Sequence, residues 1–411
     1  MDLSINLLKG KIMDKVRVAL VGVGGRGEGL YRVAMKMRTD LDFVAVVDPD
    51  KSMIDRIVKE MNENGHGNPA VYDDYRKCIN EVKPDAIVIA TGWNMHLPIT
   101  KYAMERGVAV ALEVGGAYSM ESLWELVRLY ERTQTPVMMM ENCCYGRMEL
   151  LALNMKRQGL LGDIIHVEGG YRHDLREEVT GVSMGRNHYR VDEYIKRNCD
   201  NYPTHEIGPI AKLLDINCGN RFDYLVSTAT STRGLETFVK ERDIKVLKDV
   251  RFNQADVVTT CIKCANGETV TITLDTCLPR YYSRGFLAQG TKGLICEENQ
   301  SVYLERDNKG EVWDWKDNFG NIDRYYKNYD HPIWKDYNPG EEGHGGMDYL
   351  VFNAFFTALK EGKPMPIDVY DTATWMSIAL LTEQSLLTGQ RVPFPDFTEG
   401  KWITRKNLFE I

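Results

Sequence analysis

The first third of the chain alternates short apolar runs with longer amphipathic stretches, which predicts strands that alternate with helices. The predicted strands are Val16–Gly22, Phe43–Asp48, Ala86–Ala90, Val108–Glu113 and Val137–Met140. Strands and helices in this order form a parallel sheet with right-handed crossovers. Residues 13–142 are therefore predicted to form one α/β domain.

After residue 142 the pattern changes to one helix followed by consecutive strands. The helix is predicted at Met148–Gln158, and the strands at Ile164–Tyr171, Tyr224–Thr230, Asp256–Cys264, Thr269–Cys277 and Phe286–Gln289. Ala265-Asn-Gly267 is a hairpin signal. Residues 143–411 are therefore predicted to be an α+β domain with an open, predominantly antiparallel sheet.

The remaining part of the second domain is predicted to be irregular first and helical afterwards. Asp307–Glu342 is rich in Asp, Asn, Gly and aromatic residues, and we expect a long, ordered, irregular excursion there. Helices are predicted at Met347–Lys360 and Val369–Leu387, and we expect them to pack back on the first domain.

Composition excludes several classes of partner. The 411 residues are 43% hydrophobic and 27% charged, which is typical of a globular protein, and the net charge of −8 comes without a compensating basic run. Nucleic acids and anionic membranes require clustered Lys and Arg. We therefore expect neither as a partner, and we expect a small-molecule substrate.

The cysteines favour a reducing compartment. There are nine, an odd number without regular spacing, which argues against a disulfide framework. Cys261 and Cys264 are predicted to lie on opposite faces of a strand, and no second pair completes a zinc site. We expect no metal.

No apolar segment is long enough for a membrane span, and the apolar stretch Ile5–Leu8 is too short for a signal-peptide core. We expect a cytoplasmic protein. A sequence from which an export signal had been removed would look the same, and Met13 is an alternative start.

The first strand leads into a glycine pattern that is typical of dinucleotide binding. Gly22-x-Gly24-x-x-Gly27 is followed by a helical segment, and Asp48 ends the second strand about 20 residues later. Gly22 suits a tight turn, Gly24 lets the backbone approach a pyrophosphate, and Gly27 allows close packing. An acid at Asp48 binds a ribose diol and repels a 2′-phosphate. The sequence therefore predicts a Rossmann domain that binds NAD rather than NADP.

Ligands of such sheets bind at the carboxyl ends of the strands, so the residues after each strand are candidates for the site. They are Thr91–His96, Glu113-Val114 and Glu141-Asn142.

Motifs along nearly the whole chain resemble the glucose-fructose oxidoreductase and inositol dehydrogenase superfamily (Gfo/Idh/MocA) and, within it, the NAD-dependent glycoside hydrolases of family 109. The matching motifs are Gly24-Gly-Arg-Gly27, Trp93-Asn-Met-His96, Met140-Glu-Asn-Cys-Cys-Tyr-Gly-Arg147, Gly169-Gly-Tyr-Arg-His-Asp-Leu-Arg176, Tyr202-Pro-Thr-His205, Gly343-His-Gly-Gly-Met-Asp-Tyr349 and Asp368-Val-Tyr-Asp371. The resemblance implies an α-N-acetylgalactosaminidase activity. It also implies a mechanism in which NAD transiently oxidises the 3-hydroxyl of the sugar, the aglycone is eliminated, water adds and the hydride returns.

The resemblance also implies which residues form the site. The catalytic candidates are Tyr171, His205, Tyr202 and Glu141. The substrate-binding candidates are Tyr171, Arg190, Tyr202, His205 and Tyr282. The cofactor-binding candidates are Gly22, Gly24, Arg26, Gly27, Asp48, Trp93, Asn94, His96, Glu113, Val114 and Asn142. We expect Tyr171 to remove the C2 proton, with its pKa lowered by the nicotinamide cation, and His205 to serve the 3-hydroxyl. His205 follows a turn fixed by Pro203 and precedes a helix that is predicted at Gly208–Leu214.

One position departs from the superfamily's dehydrogenases, which typically carry Glu-Lys-Pro where this chain has Glu113-Val-Gly115. Valine exchanges no proton, so alcohol dehydrogenation lacks its usual catalytic lysine. A sugar or polyol dehydrogenase that releases NADH and a non-enzymatic sugar or dinucleotide sensor remain the alternatives.

Simpler roles also remain open for individual residues. Tyr171 and Tyr282 are alternatively sheet-packing aromatics, and His205 is alternatively a packing or capping residue. His344 is either a cap of the following helix or a functional residue. An exposed sheet face further predicts a homo-oligomer, either a dimer or a tetramer.

Overall fold

The chain is divided into two units by its internal contacts. A computed structural model describes residues 14–182, 188–308, 315–335, 337–339 and 343–409. The first unit contains the chain up to Asn142, Asn338–Ala373 and residues 408–409. The second unit contains Cys143–Tyr337 and Thr374–Asn407.

A six-stranded parallel sheet lies at the centre of the first unit. Its strands are β1 (Val16–Val21), β2 (Leu41–Val47), β3 (Ala70–Tyr72), β4 (Ala86–Ile89), β5 (Ala109–Leu112) and β6 (Val137–Met139). The strand order is β3-β2-β1-β4-β5-β6, and every pairing is parallel. The predicted parallel sheet is therefore confirmed. Strand β3 was not predicted, because its apolar run Ala70-Val-Tyr72 is only three residues long.

Helices follow each strand of this sheet except the last. The helices of the first unit are α1 (Gly25–Met37), α2 (Lys51–Glu63), α3 (Tyr75–Val82), α4 (Trp93–Met104), α5 (Met120–Thr133) and, much later in the chain, α13 (Met347–Glu361). Asp50, Asp74 and Ser119 accept backbone amides at the starts of α2, α3 and α5, which is ordinary N-capping.

Helix α13 packs on α1 within the same unit. Arg38, directly after α1, donates to the side chains of Asn353 and Thr357, and Lys360 pairs with Asp40 at 2.7 Å. These contacts fix the start of α13 near the glycine turn, because the two helices lie side by side.

An eight-stranded sheet forms the second unit. Its strands are β7 (Ile164–Arg172), β8 (Phe222–Ala229), β9 (Val257–Cys264), β10 (Thr269–Asp275), β11 (Leu287–Gly290), β12 (Gly293–Cys296), β13 (Ser301–Leu304) and β14 (Val392–Pro393). The order is β13-β12-β11-β7-β10-β9-β8-β14. Only β7 and β10 pair in parallel among these strands. The predicted, predominantly antiparallel sheet is confirmed, and β12, β13 and β14 were missed.

The helices of the second unit correct two predictions. They are α6 (Arg147–Arg157), α7 (Arg176–Val179), α8 (Arg190–Lys196), α9 (Thr204–Leu213), α10 (Gly234–Glu241), α11 (Ile322–Tyr329) and α12 (Pro332–Lys335), while α14 (Val369–Thr388) continues into this unit from the first. The helix expected at Gly208–Leu214 begins at Thr204. The excursion Asp307–Glu342, expected to be irregular, contains α11 and α12, because Ile322, Tyr325 and Trp334 are buried. Parts of that excursion lie outside the described residues.

The cysteines of β9 and the helices bear on two expectations from the sequence. Cys261 is exposed and Cys264 is buried, as their alternation along β9 predicts, and all nine cysteines are free thiols. Within the described part of the chain, no helix is long and apolar enough to cross a membrane.

Candidate active site

The glycine turn after β1 leaves the first turn of α1 open. Gly22 has a φ of +89°, and a Cβ there would lie 2.6 Å from the carbonyl oxygen of Ala90. A Cβ on Gly27 would overlap the carbonyl oxygen of Gly22, whereas nothing lies within 4 Å of a Cβ on Gly24. The first amides of a helix have no intrahelical acceptors, and they attract phosphates. This cradle therefore fits the pyrophosphate of a dinucleotide.

Asp48 lies beside this turn, at the carboxyl end of β2. Its Oδ2 accepts the amide of Val23 at 3.0 Å, and its Oδ1 accepts the amide of Asp50 at 2.9 Å. Each oxygen has a second lone pair, so the carboxylate is held in place and keeps acceptor capacity for a ribose diol.

The first turn of α4 buries an unusual histidine. His96 is 1% exposed, and its Nε2 lies 3.0 Å from the carbonyl oxygen of Thr91. Burial lowers its pKa to about 4, although the hydrogen bond to Thr91 opposes this, so the ring is neutral at pH 7. The neutral ring then donates from Nε2, and Nδ1 is a buried acceptor without a donor among the described residues.

Gly115 makes room for this arrangement, since a Cβ there would lie 2.8 Å from the Trp93 ring and 3.2 Å from His96 Nδ1. Trp93 is buried and Asn94 is exposed on the same turn. A buried acceptor that lacks a donor is typical of a ligand site, and it suits a cofactor that brings a donor to this strand edge.

Asp348 joins three of the predicted cofactor residues. Its carboxylate accepts hydrogen bonds from both terminal nitrogens of Arg26, at 2.7 and 3.0 Å, and from Nδ2 of Asn142, at 2.7 Å. Arg26 also donates to Glu113 at 2.8 Å, and His344 Nδ1 lies 2.8 Å from Asp348. Burial alone would raise the pKa of Asp348, but the hydrogen bonds and charges of His344 and Arg26 hold it below its usual value. The carboxylate therefore stays ionised and fixes Arg26 at the mouth of the glycine turn.

His344 does not cap α13. The N-cap is Gly346, without a side-chain cap, and His344 itself adopts left-handed backbone angles (φ 52°, ψ 44°). Its ring instead bonds the side chain of Asp348 in the first helical turn.

Val114 and Glu141 complete the predicted residues of the first unit. Val114 is 5% exposed and carries no titratable group. Glu141 follows β6 and is fully buried.

Three predicted residues of the second unit form one aromatic cluster. The rings of Tyr171 and Tyr202 have centroids 4.5 Å apart, and the His205 ring lies 5.3 Å from Tyr171 and 4.8 Å from Tyr202. Each is at most 8% exposed. The structure therefore brings Tyr171 together with two residues that lie more than 30 positions later in the sequence.

Arg190 and Tyr282 border this cluster. The guanidinium of Arg190 lies 4.8 Å from the Tyr202 ring centroid and pairs with Glu178 at 3.1 Å. The Tyr282 ring lies 6.4 Å from Tyr171, and 45% of this residue is exposed. All five substrate-binding residues predicted from the sequence thus belong to one neighbourhood.

Close packing of α9 on β7 positions the cluster. A Cβ on Gly169 would lie 2.9 Å from the Cβ of Glu206, so glycine permits the helix to approach the strand. Pro203 is the N-cap of α9. His205 therefore lies inside the first helical turn and not in a loop before the helix, which corrects the sequence-based placement.

Burial raises the pKa of Tyr171 to about 12, while the charge of Arg190 opposes this rise. The lowered pKa of Tyr171 that was expected from the sequence depends on a bound nicotinamide cation. Without that cation, burial in this chain raises the pKa instead. Arg190 is the residue of this chain that favours the phenolate.

Comparisons with known proteins identify the family. Residues 16–141 match the family described as "Oxidoreductase family, NAD-binding Rossmann fold", and residues 145–404 match "Glycosyl hydrolase 109, C-terminal domain". The chain belongs to glycosyl hydrolase family 109. The family predicted from the sequence is confirmed, and this membership makes the chain a glycosidase with an NAD-binding Rossmann domain.

Two relatives illustrate the family. A glycosyl hydrolase family 109 protein of Stenotrophomonas maltophilia is 37% identical, over 96% of this chain and 92% of its own length. An alpha-N-acetylgalactosaminidase of Tannerella forsythia is 38% identical, over 98% of this chain and 90% of its own length.

Solved structures share the fold at low identity. An apo scyllo-inositol dehydrogenase from Lactobacillus casei has a TM-score of 0.67 and 12% identity, over 93% of this chain and 99% of the other. An NAD binding oxidoreductase from Klebsiella pneumoniae has a TM-score of 0.69 and 16% identity, with the same coverage. These similarities show the fold of a family 109 member and carry no argument about its substrate.

Proposed function

We propose that this chain binds NAD tightly and releases N-acetylgalactosamine from α-linked glycosides. The buried cluster of Tyr171, Tyr202 and His205 is the observation that carries the proposal, because it places two phenols and an imidazole, groups that can exchange protons with a sugar, side by side. Relatives from Tannerella forsythia and Shewanella oneidensis that cover almost the whole chain are named alpha-N-acetylgalactosaminidase.

The residues of the first unit fit the cofactor. The open turn at Gly24, the fixed carboxylate of Asp48 and the free Nδ1 of His96 supply sites for a pyrophosphate, a ribose diol and a hydrogen-bond donor. When bound, NAD would accept a hydride from C3 of the sugar and return it at the end of the cycle.

A carbonyl at C3 acidifies the hydrogen on C2, so elimination of the aglycone requires a positioned base for this hydrogen and a proton for the leaving oxygen. Tyr171 is assigned to this step, since Arg190 favours its ionised form. His205 is assigned to the proton of the 3-hydroxyl, because its ring lies beside both tyrosines. Water then adds at C1 and releases a proton, which balances the proton taken up by the leaving oxygen, and Tyr171 returns the proton to C2.

Val114 supports hydrolysis over dehydrogenation. It occupies the position after Glu113 with a buried apolar side chain, so no amine is present there to serve a carbinol. A glycosidase that restores its cofactor in each turnover has no need of that group.

A chromogenic α-N-acetylgalactosaminide assay tests the proposal when absorbance at the NADH band is followed in parallel. We expect release of the chromophore without accumulation of NADH. Sustained NADH formation from a free sugar or polyol, without chromophore release, would establish a dehydrogenase instead. Absence of both reactions in a protein that still binds a dinucleotide or a free sugar would favour a sensor.

A further inference from the structure

A buried ion pair lies next to the aromatic cluster and has no part in the proposed chemistry. Arg284 donates from Nε and Nη2 to the same oxygen of Glu149, at 2.8 and 2.6 Å. The two side chains are 13% and 3% exposed. Both residues belong to the second unit.

The third nitrogen of Arg284 is directed to the cluster. Its Nη1 donates to the hydroxyl of Tyr282 at 3.3 Å. The backbone of Ser283 bridges that of Arg172 in antiparallel fashion, with bonds of 2.9 and 3.2 Å. Residues on either side of a bridged residue share the opposite face, so Tyr282 and Arg284 lie on the face of Tyr171.

Glu149 is held as firmly as Arg284. It is the third residue of α6, where the helix dipole favours a carboxylate. A Cβ on Gly146 would overlap its Oε2, so the carboxylate fills the space above this glycine. Oε2 is buried without a hydrogen-bond partner among the described residues. A buried oxygen without a partner destabilises the fold, so good packing does not explain why a carboxylate lies there.

Stability is a weak reason for such a pair. Two buried charges lose their hydration, and apolar residues of similar volume commonly stabilise a protein as well or better. The planar guanidinium of arginine can instead donate two hydrogen bonds to one carboxylate oxygen and a third to another group.

We propose that Arg284, anchored by Glu149, is a positioning residue that fixes the hydroxyl of Tyr282 at the edge of the Tyr171 cluster. The proposal rests on the proposed function, in which this cluster holds the sugar. Arg284 acts through Tyr282 and not on the sugar itself. Tyr282 is half-exposed, and the bond from Arg284 restricts its hydroxyl while its ring rests at 5.2 Å from His173.

The first arm of the test needs no activity. The holoprotein is labelled with 3-fluorotyrosine, and the ¹⁹F signal of residue 282 is assigned by its loss in Tyr282→Phe. We expect Arg284→Lys to shift or broaden this signal. Arg280→Lys is the matched control. Arg280 lies two residues before Tyr282, and it pairs with Asp275 at 2.6 Å. A 282 signal that is identical in wild type and Arg284→Lys would overturn the proposal.

The second arm uses hydrolysis. Arg284→Lys is expected to lower kcat/KM by up to about 10²-fold, the loss typical of a misplaced site group. Combining it with Tyr282→Phe should add little, because both changes remove one interaction. Fully multiplicative losses would contradict the proposal.

The double variant Glu149→Leu/Arg284→Met separates positioning from folding. It removes the ion pair without leaving a buried charge, so it should fold and keep its NAD. We expect the loss in kcat/KM to persist, whereas a merely structural pair would leave hydrolysis near the wild-type rate. A wild type that hydrolyses no glycoside would refute the proposed function, and the ¹⁹F arm would still decide the role of Arg284.

Discussion

At the scale of single residues, the cofactor cradle depends on a few fixed side chains. Asp48 keeps both carboxylate oxygens oriented by backbone amides, so little is lost when a ribose diol binds. Asp48 can therefore accept hydrogen bonds from a ribose without a change in its side-chain orientation.

Asp48→Ala should weaken NAD binding by roughly 1 to 3 kcal/mol, because a charged acceptor is lost. Asp50→Ala is the matched control, since Asp50 caps α2 and should affect stability more than NAD binding. Titration of the apoprotein with NAD by calorimetry measures both. Equal affinities for the Asp48 variant and wild type would refute this role.

The buried His96 makes folding sensitive to acid. Its pKa is about 4 in the folded chain and about 6.5 when unfolded, so the unfolded state binds more protons between these values. The free energy of unfolding should therefore fall as pH drops from 6.5 to 4, by roughly 3 kcal/mol at most. His96→Gln should lose this slope in denaturant titrations without NAD. Parallel curves for wild type and variant would contradict the prediction.

Candidate residues for the cofactor cradle and for the aromatic cluster can be predicted from the sequence because their types carry local signals. Glycines and an acid at fixed spacing predict the turn after β1, and motif similarity indicates Tyr171 and His205. Asp348 was missed, although its motif was noted, since its partners Arg26 and Asn142 are brought to it only by the packing of α13. Arg284 and Glu149 were missed because they lie 135 positions apart in the sequence and meet only in the folded chain.

At the scale of elements, the contact between α1 and the glycine turn provides a matched pair of substitutions. Gly27→Ala would push a methyl group into the carbonyl of Gly22, so we expect lower thermal stability and reduced NAD retention. Gly29→Ala lies on the same helix with nothing within 4 Å, and it should stabilise the protein by about 0.5 to 1 kcal/mol. Melting curves and the nucleotide content of both variants check this. A Gly27 variant as stable as the Gly29 variant would contradict the packing argument.

Element types follow from periodicity, whereas their limits and the short edge strands do not. The fully buried strands β4 and β5 were predicted because every residue in them is apolar. Strands β12 and β13 are only four residues each and come without a clear alternation. Helix α9 begins before its predicted start because Tyr202-Pro203 was taken as a turn separate from the helix, whereas Pro203 is the helix N-cap.

At the scale of the whole molecule, one face of the eight-stranded sheet is left uncovered within the described chain. Cys261 of β9 and Val226 of β8 pair across this face and are both exposed. We predict that a second copy of the chain covers it, as isologous contact between sheet faces permits.

Light scattering should then give two or four times the mass of one chain. Cys261 should react slowly with a maleimide, and Thr271→Arg, opposite Cys261 on β10, should yield monomers in which it reacts rapidly. Cys261→Ser is the control for this thiol. A monomeric wild type with a fully reactive Cys261 would contradict the prediction.

Isotope exchange tests the central claim most directly, because elimination through a 3-keto sugar breaks the bond between C2 and its hydrogen, whereas direct displacement leaves it intact. Hydrolysis of an α-N-acetylgalactosaminide in heavy water, followed by NMR of the released sugar, measures the difference. We expect deuterium at C2, and a loss of about 10²-fold or more in kcat for Tyr171→Phe with NAD still bound. Released sugar without deuterium at C2, together with a near-normal rate for Tyr171→Phe, would contradict the central claim.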